Sequence, residues 1–90
     1  MKVYLLEKRF CDGADSWQIY VGIYVDPSLA NTVKLGIELK AEQIRQSPEP
    51  QQPRKNAGTK AWENYGIDYD SWTLYQDFRG CKITEFELIA

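Results

Sequence analysis

Histidine is absent from the 90 residues. Its absence removes the commonest general base, the His-dependent nucleophile pairs and the commonest metal ligand. Cysteine is scarce: Cys11 and Cys81 are the only two. A disulfide-stapled secreted domain usually carries more, and neither thiol has the partner spacing of a zinc or thioredoxin site. Two reduced thiols are expected. A single bridge stays open, because each cysteine sits beside a turn and two turns can meet at one end of a sheet. The six glycines are scattered and form no phosphate-cradling loop. No apolar run approaches the roughly 18–20 residues that a membrane-spanning helix needs. Met1 to Glu7 has one Lys and a short apolar stretch broken by Glu7. It reads as a first strand rather than a signal peptide. Excess positive charge is also missing. The net charge is −2, with 27% charged residues, and an electrostatic nucleic-acid binder would show a basic stripe. No membrane and no direct nucleic-acid contact are therefore expected, and a cytoplasmic protein is.

Aromatic residues are plentiful: 3 Trp, 6 Tyr and 3 Phe. A chain this short is one domain with little core to spare, and each ring brings a large apolar area. Residues 2–9 read as a strand, with Val3 and Leu5 on one face and Tyr4 and Leu6 on the other. Cys11 to Asp15 reads as a turn, since Asp-Gly supplies the positive φ of a tight hairpin. Residues 16–25 alternate without a fault. Trp17, Ile19, Val21, Ile23 and Val25 form one face, expected to be core. Asp26-Pro27 marks a helix start. The following stretch fits a strand through Val33, Leu35, Ile37 and Leu39. It also fits a helix through Leu29, Val33, Ile37, Ala41 and Ile44. The cap and the strong helix formers of residues 38–46 favour a helix over 27–45, which leaves Leu35 and Leu39 outside its apolar stripe.

Residues 46–59 hold three of the four prolines and no large apolar side chain, the composition of a flexible loop. Thr59 to Tyr65 reads as a short helix stopped by Gly66. Residues 67–78 read as a strand with Trp72, Leu74 and Phe78 on one face. Arg79-Gly80 reads as a turn, and residues 81–89 as a last strand. The expected fold is α+β: an antiparallel sheet of about four strands, one main helix on a face, and the Pro-rich loop.

Three strings resemble short uncharacterised phage and bacterial strand–helix–strand proteins. They are Met-Lys-Val-Tyr-Leu-Leu-Glu at the start, Val-Gly-Ile-Tyr-Val-Asp-Pro-Ser-Leu-Ala from Val21, and Ile83 to Leu88. The resemblance covers about half of the chain. It implies the fold, and an origin in a phage or mobile element that would place the protein in a host cytoplasm. That family has no assigned activity.

The distinctive segment runs from Arg54 to Phe78. It begins basic and turns acidic and aromatic, with four acids and no base from Ala61 onward. Trp and Tyr are among the residue types that dominate binding hot spots. Trp62, Glu63, Tyr65, Asp68, Tyr69, Asp70 and Trp72 are the candidate partner-binding residues. Acidic side chains around aromatics suit a larger, basic partner protein, such as a bacterial defence complex blocked by an anti-CRISPR-type inhibitor. A homodimer is compatible with the same pattern. The bland alternative makes Trp62 and Trp72 core and the acids ordinary surface. A second functional reading is a nucleotide-sequestering module, with rings stacking a base and Arg54, Lys55 or Arg79 meeting phosphates. A third reading is a structural accessory subunit. No catalytic, cofactor-binding or metal-ligating residue is expected. Asp68 and Asp70 would share a strand face, a weak pattern for a metal pair.

Overall fold

The computed structural model describes residues 1–89. Five elements follow in order: β1 (Lys2–Cys11), β2 (Ser16–Tyr24), α1 (Pro27–Gln46), α2 (Thr59–Gln76) and β3 (Phe78–Glu87). The sheet has three strands, not four, in the order β2-β1-β3, and both pairings are antiparallel. The sequence-based strand over 67–78 is the second half of α2. Gly66 does not stop that helix. The helix ends at Asp77, whose N–H reaches the carbonyls of Leu74 and Tyr75.

The β1–β2 hairpin closes through Asp12. Its Oδ1 accepts from the N–H groups of Ala14 at 2.9 Å and Asp15 at 2.7 Å. Gly13 takes the positive φ of 96° that the turn demands. Paired residues in an antiparallel ladder share a face. Tyr4, Leu6, Lys8 and Phe10 therefore share one face of β1, and Val3, Leu5, Glu7 and Arg9 share the other.

The unbroken alternation of β2 misleads. A register shift opposite Leu6 and Glu7 breaks it. Trp17 and Ile19 pair with Phe10 and Lys8, whereas Ile23 pairs with Leu5 on the opposite face. One inserted residue turns the rest of the strand over. Ile19, Ile23 and Val25 are exposed rather than core. The shift explains Ile23, whereas Ile19 keeps the face of Trp17 and is exposed there nonetheless. A second shift lies in β3, where Arg9 pairs with Gly80 and Phe10 with Phe78. Gly80, with φ 109°, lets the strand continue past the extra Arg79. Arg79-Gly80 is thus a bulge inside a strand, not a turn before one.

α1 starts on an Asp26 cap that accepts from the Ser28 N–H at 2.9 Å. It buries Ala30 and Ala41, with Ile37 packed beside Ala41. Leu29, Leu35 and Leu39 point away and stay exposed. Leu29 leaves the expected stripe because Ala30, not Leu29, lies in line with Ile37 and Ala41 at about 100° per residue. The core is small. Phe10, Ala41 and Phe78 form its centre, with Trp17, Ile37, Leu74, Tyr75 and Cys81 packed around them. Residues 47–58 form neither helix nor strand.

The molecule is long. Its axes measure 59 × 28 × 21 Å and its radius of gyration is 17.0 Å. A compact domain of this length would have a radius of about 12 Å. Its accessible surface is 6743 Å², whereas a compact monomer of this mass exposes about 5400 Å². α2 accounts for part of the difference, because none of its residues is buried.

Candidate interaction helix

All seven candidate residues lie on α2. The structure unites what the sequence divided between a short helix and a strand. Trp62, Tyr65, Tyr69 and Trp72 sit at helical spacings of three and four, so their side chains stand in one row. Neighbouring ring centroids lie 6.0, 5.8 and 6.2 Å apart along the row. These are the separations of interacting aromatic pairs, so the rings form one continuous ridge. Its outer end is the most open, with Trp62 38% exposed. At its inner end the Trp72 indole N–H donates to the Ser47 carbonyl at 3.1 Å. That bond ties α2 to the end of α1. It was not readable in the sequence, since its partners lie 25 residues apart.

One acid stands next to the ridge and two stand farther round the helix. At about 100° per residue, Asp68 lies beside the ridge, whereas Glu63 and Asp70 lie about 120–140° round the helix from it. All three are exposed. Asp68 and Asp70 were expected on one strand face. On a helix they diverge by about 200°, so they form no pair. Among the described residues no cluster of three or more Asp, Glu or Cys side chains could hold a metal ion.

α2 is anchored at its C-terminal end. Tyr75 packs edge-on against Phe10, with centroids 6.2 Å apart, and lies 5.7 Å from Phe78. Lys8 donates to the Tyr75 hydroxyl at 2.9 Å. The first third of the helix, from Thr59 to Asn64, is exposed throughout. The result is a helix held at its C-terminal end that presents Trp62 and Glu63 at the other.

A depression of about 300 Å³ runs beside the ridge, lined by Ile44, Pro48, Pro50, Asp68, Ser71 and Trp72 among others. No basic side chain lines it, so the rings do not converge there on a phosphate-binding group. Arg79 lies just past the C-terminal end of α2. It shares a depression of about 190 Å³ with Arg9, Ser16 and Gln18, and its guanidinium donates to the Gln76 and Phe78 carbonyls. Arg54 and Lys55 line neither depression.

Both cysteines are free. Cys81 pairs across the sheet with Lys8, three residues from Cys11. Three strand steps are about 10 Å, beyond the reach of a disulfide. Burial pushes the Cys81 thiol pKa up, and the nearby Glu38 carboxylate adds to the shift. A thiol kept protonated is a poor nucleophile. No helix among the described residues is long and apolar enough to cross a membrane.

No protein-family model, curated protein or solved structure matches this chain. Its function has to be argued from the ridge itself.

Proposed function

We propose that this protein is a non-catalytic binding protein that docks the aromatic ridge of α2 into a larger partner protein, as an inhibitor or adaptor. One observation carries the reading. Four interacting rings stand in a row on a helix none of whose residues is fully buried; Trp62 is exposed and Tyr65, Tyr69 and Trp72 are half-buried. Large apolar area left in water is unfavourable, and contiguous exposed patches mark interaction sites. Trp and Tyr supply most of the energy of typical hot spots. The arrangement suits a helix laid into a groove, with the rings as anchors. Asp68 beside the ridge, with Glu63 and Asp70 farther round the helix, favours a basic partner surface and speeds its encounter. The lack of histidine throughout the chain fits the same reading.

The narrower form is a phage-encoded inhibitor of a bacterial defence complex. Its support is the resemblance of the three sequence strings. The nucleotide-sequestering alternative has less support, because no basic side chain lines the depression beside the rings.

The test is retention. The tagged chain is incubated in bacterial lysate beside a Trp62→Ala/Trp72→Ala variant whose fold is verified by circular dichroism. The reading expects a large protein held by the native chain and released by the variant, then confirmed with the purified pair. Equal retention by both chains, or none by either, defeats it.

A further inference from the structure

The two edges of the sheet differ in kind. β3 forms one edge and carries Arg79, Lys82, Glu85 and Glu87. β2 forms the other and carries no charged residue and no proline. An open edge presents unpaired N–H and C=O groups, and charges or prolines are the usual protection against pairing. β3 has that protection. β2 has no charge or proline, only the bulge at Val21, and is rich in β-branched and aromatic residues, which favour strands. Its Tyr20 and Ile23 are 63% and 68% exposed. With Leu5 and Val21 they line an open apolar depression of about 400 Å³.

We propose that β2 is the seam of a homodimer, pairing antiparallel with β2 of a second copy so that two three-stranded sheets become one. A strand paired with its own copy about a two-fold axis meets an identical edge, so the contact is closed. The charged β3 edges at the two ends then block further growth. Surface area supports a second copy as the occupant. Each chain exposes about 1300 Å² more than a compact monomer of its mass, part of it on α2, and a standard interface takes about 800 Å² from each partner. The bulge in β2 restricts the pairing register and does not remove the edge. The dimer does not depend on the α2 reading. It would carry two ridges, so a partner with two grooves would be held by avidity.

Light scattering after size-exclusion chromatography tests the seam. The native chain is expected at twice its 10.5 kDa mass. A Tyr20→Lys/Ile23→Lys variant is expected at the single mass with an unchanged circular-dichroism spectrum. Position 20 pairs with Glu7, so a lysine there has an opposite charge within its own chain. The Trp62→Ala/Trp72→Ala variant is expected to remain dimeric. A native chain that is monomeric at high micromolar concentration overturns the proposal, and so does a dimer lost with the tryptophans. A dimer that survives the two lysines in a folded chain also overturns it. Should the lysine variant not fold, amide hydrogen exchange on the native chain decides. β2 amides should exchange faster on dilution while those of β3 do not, and an equal response of both edges refutes the seam.

Discussion

Lys8 and Tyr75 join the sheet to the interaction helix: the Lys8 ammonium lies 2.9 Å from the Tyr75 hydroxyl and 5.5 Å from the centroid of the ring. The two residues are 67 positions apart. Tyr75 lies in the last turn of α2, and its ring also meets Phe10 and Phe78. The joint therefore sets the direction in which the rest of α2 projects.

Tyr75→Phe keeps the ring and removes the hydroxyl. It should cost about 0.5–1.5 kcal/mol, the usual worth of one hydrogen bond. Tyr75→Ala also removes packing against Phe10 and Phe78 and should cost about 2 kcal/mol or more. Urea denaturation of both variants checks the order. Equal losses would mean that the ring contributes no packing. Hydrogen exchange should show α2 opening first in Tyr75→Ala.

Gly66→Ala should stabilise the protein by about 0.5–1 kcal/mol, because glycine in a helix interior is costly. An added Cβ at position 66 meets nothing within 4 Å. For a domain of this size the gain is about 2–8 °C in Tm. A fall in Tm would favour a helix that stops at Gly66, which would break the aromatic ridge in two.

Asp12 holds the first hairpin and titrates below the ordinary carboxylate range. The cause is its hydrogen bonds from the Asp15 and Ala14 N–H groups, which favour the charged form. Its folded-state pKa is lowered, so its contribution is complete above the unfolded-state value. The contribution fades as pH falls through the lowered value. Asp12→Asn should lower the neutral plateau of the stability profile and leave its acid end nearly unchanged, so that the acid limb is flatter. An acid limb of unchanged slope would assign the pH dependence to other carboxylates.

Much of the fold was legible. β1, β2, the Asp26-Pro27 helix start and the extent of α1 all follow from periodicity and capping. The inner half of α2 was misread because two local signals agreed on the wrong answer. Gly66 resembles a helix stop, and Trp72, Leu74 and Phe78 fall at even spacing. The decisive pattern was the longer one, Trp62, Tyr65, Tyr69 and Trp72, which fits only a helix. The bulge in β2 leaves no local mark, since Val21 extends an already regular alternation. It arises from pairing with β1, which residues 16–25 alone do not encode. The candidate residues were found by composition, and their union into one ridge required the continuous helix. The bare β2 edge could have been noticed in the sequence as nine residues without a charge.

The most direct test of the α2 reading is affinity capture from bacterial lysate with the native chain and the folded Trp62→Ala/Trp72→Ala variant, read by quantitative mass spectrometry. The account predicts one large protein enriched on the native chain and reduced at least tenfold on the variant, since losing two ring anchors removes well over about 1.4 kcal/mol. An identical set of retained proteins on both chains would contradict it.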